Sequence, residues 1–246
     1  MRPGGPFTAR AKLAVICCAG FITATENAPA EADPITRMLT ALGGTTAIGR
    51  LKSLSVEAQC TGPSGPFQTS VQSLRPGSVY FFQTSNRGTT RVWSTPSRTW
   101  TIDGGKPEAA GEPVRAFVRG HEFHLLLFEV ESRFPKREAT GEEIVDGRAC
   151  TRLLMRDEGG NAAKLLLDKA SFLPRMLELN PPGAQGPVRI SFDDWRKIND
   201  LLYFESFRMT EGPDRTFTYR YTRIAPNTVE ANLFAEPTAP SSPRPE

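Results

Sequence analysis

The feature that most constrains this chain is a period-two alternation of apolar and polar residues, broken every 8–12 residues by turn sequences. In Leu51–Cys60 the apolar set is Leu54, Val56 and Ala58, and Thr61–Gly65 is a turn sequence that ends the segment. Because successive side chains of a strand point to opposite faces, this pattern indicates half-buried strands. The closely spaced strands predict an antiparallel meander and argue against a βαβ fold.

The alternation predicts twelve strands in two blocks, which a helix separates. A capped helix precedes them, with Asp33 as N-cap and Pro34 at its first position. The separating helix spans Val114–Phe128, and its apolar stripe comprises Val114, Phe117, Val118, His121, Leu125 and Phe128. The predicted strands are Leu51–Cys60, Phe67–Leu74, Ser78–Thr84, Thr90–Ser94, Arg98–Asp103, Glu143–Val145, Ala149–Arg156, Ala163–Leu167, Arg175–Leu179, Val188–Asp194, Leu201–Thr210 and Thr216–Ile224.

Residues 1–30 have the pattern of a secretory signal peptide. Basic residues precede the apolar run Leu13–Ala24, and a small-x-small cleavage pattern follows at Ala28–Ala30. A buried helix and lipid attachment at Cys17 or Cys18 are the alternatives, although the Ile16 before Cys17 does not suit a lipobox. The sequence therefore predicts a periplasmic or secreted protein with one domain, residues 31–234, no later membrane-spanning segment, and a disordered Pro- and Ser-rich tail, residues 235–246.

Cys60 and Cys150 are the two cysteines that remain after residues 1–30. A secreted compartment permits a disulfide between them. However, Cys60 shares the inward face of its strand with Val56, whereas Cys150 falls with Arg152 on an outward face. Cysteines on opposite faces of a sheet cannot meet without a bulge or a strand end. The alternation therefore favours two free thiols over a bridge.

The order and spacing of several segments resemble the periplasmic lipoprotein-carrier (Lol-type) superfamily. The resemblance covers nearly the whole mature chain, and no single segment is specific. Its fold implies a mainly β structure: a strongly curved antiparallel sheet, or half-barrel, of about 11–12 strands with helices plugging the concave face. The function of that superfamily implies that this protein binds a lipid, an acyl chain or a lipidated protein. The segments that carry it are Ala41–Gly44 with Leu51–Ser53, Val145–Arg148 with Thr151–Leu153, Leu165–Asp168 with Ser171–Pro174, Ile190–Trp195, and Asn227–Pro237.

Catalytic and metal-binding motifs are weak in this sequence. The chain has only two histidines, His121 and His124, which can share a helix face, yet Glu122 and Glu129 lie off that face, so a zinc ligand set is incomplete. The Gly62–Gly65 turn lacks the spacing of a serine-hydrolase elbow. We therefore predict a protein that is not an enzyme and has no metal or other cofactor, in which His121 belongs to the apolar stripe. The 30 basic and 27 acidic residues form no basic stripe, which argues against a nucleic-acid partner.

The remaining candidate site is the inner surface of the curved sheet. Inward-facing apolar residues would line a concave cavity, closed by the Val114–Phe128 helix as a lid, or would pack against that helix and leave no cavity. The sequence leaves both alternatives open. It therefore allows a lipid-binding carrier, an envelope assembly or structural protein that binds a protein partner, or, less favoured, an enzyme that uses His121 and His124. The predicted cavity and lid residues are Leu54, Val56, Phe67, Phe81, Phe117, His121, Leu125, Phe128, Phe192 and Phe204.

Overall fold

The computed structural model describes residues 33–103, 106–180, 186–212 and 214–235. The predicted signal peptide, residues 1–30, lies outside these ranges, as does the predicted tail beyond Ala235. Within them the chain is mainly β: thirteen antiparallel strands form one curved sheet that does not close, and short helices pack on its concave face. This architecture confirms the predicted half-barrel.

The helices are short, and each begins or ends at a recognisable signal. Asp33 caps the first helix, since its side chain accepts a hydrogen bond from the Thr36 N–H at 3.1 Å. Gly43 and Gly44, both with positive φ, separate this helix from a second one that the sequence did not predict. The five α-helices of the described part are α1 (Pro34–Ala41), α2 (Thr45–Arg50), α3 (Glu112–Gly120), α4 (Phe123–Phe128) and α5 (Val130–Arg133), and a 3-10 helix follows at Ala231–Phe234.

The sheet contains one non-sequential pairing. The strands lie in the order β6-β5-β4-β3-β2-β1-β13-β12-β11-β10-β9-β8-β7, so the first strand pairs with the last and the central helices connect the two free edges. The strands are β1 (Ser53–Gly62), β2 (Gly65–Leu74), β3 (Ser78–Ser85), β4 (Gly88–Ser94), β5 (Thr99–Asp103), β6 (Lys106–Ala109), β7 (Lys136–Val145), β8 (Arg148–Arg156), β9 (Ala162–Asp168), β10 (Pro174–Leu179), β11 (Val188–Ile198), β12 (Leu201–Glu211) and β13 (Arg215–Pro226).

Two predicted elements differ from the structure. The predicted Val114–Phe128 helix is not continuous: α3 ends at Gly120, and α4 begins at Phe123. The stripe is therefore not buried along its length, because Phe117 is 48% exposed while every residue of α4 is buried. The strand predicted at Glu143–Val145 begins at Lys136, and β6 is an additional edge strand.

The cysteines lie on opposite faces, as the alternation indicates. Cys60 belongs to the core cluster, whereas Cys150 is buried outside it, opposite Asp168 of β9. Both are free thiols. Desolvation on burial raises the pKa of the Cys60 thiol to about 12 and also raises that of Cys150. The prediction against a bridge is confirmed.

Candidate ligand-binding site

The predicted cavity residues divide into a buried group and a group at one end of the half-barrel. The buried group belongs to one core cluster that joins the sheet to α4, while Phe67 is partly buried against that cluster. Phe117 and His121 lie at the end of α3, where neither is fully buried. The buried group comprises Leu54, Val56, Phe81, Leu125, Phe128, Phe192 and Phe204.

The interior between the sheet and α4 is filled. The cavity that remains beside Leu54, Val56 and Leu125 has a volume of about 10 Å³. A single water molecule needs about 10–15 Å³ of such volume, so this space is too small for an acyl chain. The sequence leaves open whether the inward-facing residues line a cavity or pack against the helix. In the structure they pack against the helix.

Open volume occurs instead at the mouth of the half-barrel. There the β1–β2, β3–β4 and β12–β13 hairpin ends meet α3 around a cleft of about 300 Å³, which we call the mouth cleft. Three aromatic rings form its floor: the Phe67 ring packs edge-on against Phe217 at 6.3 Å and against Tyr219 at 5.7 Å between centroids. Phe117 and Met209 also line it. The volume is at the lower end of the range for small-molecule sites.

The rim of the mouth cleft is polar and carries two arginines. Arg215 contacts Glu211 at 3.2 Å, and its guanidinium carbon lies 5.5 Å from the Phe217 ring centroid. The Arg87 side chain forms no ion pair within the described part of the chain. Gln83 completes the rim near these charges. An apolar floor with a cationic rim suits an amphipathic ligand that has an apolar chain and an anionic head.

His121 connects the mouth cleft to the core. Its Nδ1 lies 2.8 Å from the Phe117 carbonyl oxygen, and its ring contacts Phe81 and Phe123 at 5.0 and 5.6 Å between centroids. Burial among these rings lowers its pKa below the usual value. His121 therefore lies among aromatic rings at the end of α3.

His124 is a core residue and does not share a site with His121. Its Nε2 donates a hydrogen bond to the Phe204 carbonyl oxygen at 3.0 Å, and its ring stacks on Phe204 with centroids 3.9 Å apart. Desolvation lowers its pKa to about 3. In the part of the chain that the structure describes, no group of three His, Cys, Asp or Glu residues could hold a metal ion.

The break between α3 and α4 contains a buried ion-pair network that the sequence analysis missed. The Glu122 carboxylate is buried and contacts Arg119 at 3.2 Å and Arg133 at 3.1 Å. Arg133 also binds Glu129 at 2.9 Å, and Glu129 binds Arg75 before β3 at 2.8 Å. The three-residue spacing of Arg119 and Glu122 could have predicted their ion pair from the sequence. No local pattern predicts the pairs of Glu122 with Arg133 and of Glu129 with Arg75, whose members are more distant in sequence. The network joins the ends of α3, α4 and α5 to one another and, through Arg75, to the turn before β3.

A larger groove, of about 890 Å³, adjoins the mouth cleft and shares Phe67 and Tyr219 with it. Its walls are both apolar and polar, since Phe207 and Arg220 also line it. Among the described residues, Phe117 of α3 lines the mouth cleft and no residue of α3 lines the larger groove. The mouth cleft is therefore the cavity that α3 can cover, and we take it as the candidate site.

Comparisons with known proteins agree with this architecture at the level of the fold. A LolA superfamily protein from Nitrosomonas europaea superimposes with a TM-score of 0.61 at 9% identity, covering 81% of this chain and 97% of that one. The chain has a Lol-type fold. A DUF1329 family protein from Desulfovibrio piger superimposes with a TM-score of 0.54 at 12% identity, covering 83% and 98% of the two chains. No family model and no curated protein matches the sequence.

The sequence predicts no membrane-spanning segment after residues 1–30. Within residues 33–103, 106–180, 186–212 and 214–235, every helix is too short or too polar to cross a bilayer.

Proposed function

We propose that this protein is a periplasmic or secreted carrier of the cell envelope that binds a lipid or the acyl chain of a lipidated protein, and that it is not an enzyme. The observation that carries the proposal is the mouth cleft, where Phe67, Phe217 and Tyr219 form an apolar floor beneath Arg87 and Arg215. The Lol-type fold supports it, and the periplasmic location rests on the signal-peptide pattern of residues 1–30.

The mouth cleft would hold the first part of an acyl chain. Each methylene removed from water contributes ~0.8 kcal/mol, so about six methylenes would contribute ~5 kcal/mol before ordering costs. Arg215 and Arg87 would contact an anionic head at the rim. Because Phe117 lines the cleft and is 48% exposed, contact with a chain would bury a ring that now faces water.

Deeper entry would require α3 to move. Phe117 and His121 stand between the mouth cleft and Phe81 of the core, and the interior beyond them is filled. The helix break after Gly120 separates α3 from α4, and movement of α3 would open the ion pair from Arg119 to Glu122 and the hydrogen bond from Arg115 to Thr99. Every residue of α4 is buried. We therefore assign the lid to α3 alone, with α4 as a permanent part of the core.

The filled interior also favours a second candidate, an envelope assembly protein that binds a protein partner. The ten-residue β7 strand pairs only with β8 in the described sheet, so its other edge is open to an added strand. This candidate predicts reproducible crosslinks from β7 to a partner protein and no bound lipid.

The test compares two substitutions at residues of equal exposure. Phe117→Asp adds a charge to the wall of the mouth cleft, and Leu154→Asp adds one on β8; both side chains are 48% exposed, so both variants should fold. We expect a fluorescent fatty acid to bind the wild type and Leu154→Asp equally and Phe117→Asp at least about tenfold more weakly, because a charge is costly against an apolar chain. Equal binding by both variants, or none by the folded wild type, would overturn the proposal.

A further inference from the structure

Three arginines line a cavity on the side of α3 that points away from the mouth cleft. The cavity has a volume of about 690 Å³ and lies between α3, the turn from β2 to β3 and the turn from β4 to β5. Arg115 and Arg119 lie one helical turn apart on α3, whereas Phe117, which lines the mouth cleft, is on the opposite side of the helix. Arg75 lines the cavity from the turn before β3. We call this space the basic cavity.

The three guanidinium groups are partly removed from water. The side chains of Arg75, Arg115 and Arg119 are 28%, 29% and 31% exposed. Glu112 also lines the basic cavity and lies 3.3 Å from Arg115, but its side chain is 75% exposed. Because water and salt screen an exposed carboxylate, Glu112 offsets only a small part of the positive charge.

The buried carboxylates beside the basic cavity are shared between arginines. Glu129 lies 2.8 Å from Arg75 and 2.9 Å from Arg133. Glu122 lies 3.2 Å from Arg119 and 3.1 Å from Arg133. These two carboxylates therefore do not balance the guanidinium groups around them. Excess like charge in a partly buried space is unfavourable, and an anion in the basic cavity would neutralise it.

The arginines keep N–H donors that the protein does not use. Nε of Arg115 donates to Thr99 Oγ1 at 3.2 Å, and Nη1 of Arg75 donates to two backbone carbonyl oxygens, both at 3.0 Å. Within the described residues, Nη2 of Arg75, Nη2 of Arg115 and both Nη atoms of Arg119 have no hydrogen-bond acceptor. A planar guanidinium fork binds the oxygens of a phosphate group in pairs.

The turn before β3 leaves space for the Arg119 guanidinium. Gly77 of this turn has a φ of 74°, and a Cβ atom built on it would lie 3.0 Å from Nη1 of Arg119. A glycine therefore suits both the backbone conformation and the close approach of the side chain. The unused donors of α3 are thus next to the turn that carries Arg75.

We propose that the basic cavity binds a phosphate group between Arg75, Arg115 and Arg119. A phosphate ester carries a charge of about −1.5 to −2 near pH 7 and three strong acceptor oxygens, which match the excess of positive charge and the unused donors. The bound group would join α3 to the turn before β3, because two of the arginines belong to the helix and the third to the turn. The inference is independent of the mouth cleft.

Isothermal titration calorimetry of the full chain, at constant ionic strength, tests the site. Inorganic phosphate and glycerol phosphate are titrated separately, and the tighter binder of the two shows whether the free ion or an ester is preferred. The matched variants are Arg115→Gln and Arg223→Gln, since each removes one positive charge and Arg223 on β13 pairs with Glu57 outside the basic cavity. We expect Arg115→Gln to weaken binding at least about tenfold and Arg223→Gln less than about twofold.

Glu112→Gln gives a prediction of the opposite sign. Its side chain is 75% exposed, so the variant should fold, and loss of the carboxylate charge should strengthen phosphate binding about threefold. Amide hydrogen exchange in α3 of the wild type should slow when phosphate saturates the site.

Three results would overturn the proposal. The first is the lack of saturable binding of either phosphate compound to the wild type. The second is an equal effect of Arg115→Gln and Arg223→Gln, or weaker binding by Glu112→Gln. The third is binding that leaves hydrogen exchange in α3 unchanged, because it would place the phosphate group elsewhere on the protein.

Discussion

His124 should make the stability of the fold depend on pH near neutrality. Burial against Phe204 lowers its pKa to about 3, from an ordinary value of 6.5. The surrounding Tyr203 and Tyr221 hydroxyls stay neutral at these pH values, because burial raises their pKa. The native state therefore holds a neutral imidazole in a range where the unfolded chain binds a proton.

The sign and size of the effect follow from these two pKa values. The contribution of His124 is complete above pH 6.5 and declines as the pH falls, because protons bind preferentially to the unfolded chain. The loss is about 1.4 kcal/mol for each pH unit below 6.5, until the pH reaches about 3. From about pH 8 to about pH 5.5 the protein should therefore lose ~1.4 kcal/mol through this one residue.

Urea unfolding of the wild type and of His124→Gln, followed by circular dichroism, measures this loss. The glutamine cannot be protonated and keeps an N–H donor for the Phe204 carbonyl oxygen. We expect the free energy of unfolding of the variant to fall by ~1.4 kcal/mol less than that of the wild type over the same pH interval. Replacing His121 as well yields a chain without histidine. The pH dependence of the unfolding free energy that remains in this chain comes from its carboxylates. Equal pH slopes for wild type and His124→Gln would refute the reasoning.

The ion pairs and thiols give two further predictions. Glu122→Ala removes a buried carboxylate that pairs with both Arg119 and Arg133, so urea unfolding should show a loss of about 3 kcal/mol, whereas Glu112→Ala, at a side chain 75% exposed, should cost less than about 0.5 kcal/mol. Cys60 and Cys150 should react slowly with a thiol reagent at about pH 8 in the native protein and rapidly in urea, because burial raises both pKa values. An intact mass lower by two hydrogen atoms, as expected for a bridge, would contradict the second prediction.

The sheet could be predicted from the sequence wherever one face is buried. Core-facing Leu54, Val56 and Ala58 on β1 alternate with more polar residues, and turn signals end the segment. The alternation does not predict the first part of β7, since Lys136–Glu142 forms an open edge and is rich in charged residues. The apolar spacing continues through Gly120 and so predicts one helix, whereas Glu122 lies in the break between α3 and α4 and pairs with Arg133 of α5.

The candidate site was less predictable than the fold. Alternation assigned Phe81 and Phe192 to the inward face correctly, but it contains no information on volume, and the interior they line is filled. The mouth cleft is formed where hairpin ends from distant parts of the chain meet. Phe217 reaches Phe67 only through the pairing of β13 with β1 and of β1 with β2, which no local pattern specifies.

Photoaffinity labelling tests the central claim most directly. A long-chain fatty acid with a diazirine at its apolar end is irradiated with the protein, and peptide mass spectrometry locates the attachment. We predict labels at the mouth cleft, on the segments that contain Phe67, Phe117, Met209 and Phe217, with labelling suppressed by excess unlabelled fatty acid and absent in Phe117→Asp. Labels that instead fall on segments outside the mouth cleft, such as those with Tyr80 and Trp93, or a label distribution that excess fatty acid does not change, would contradict the proposal.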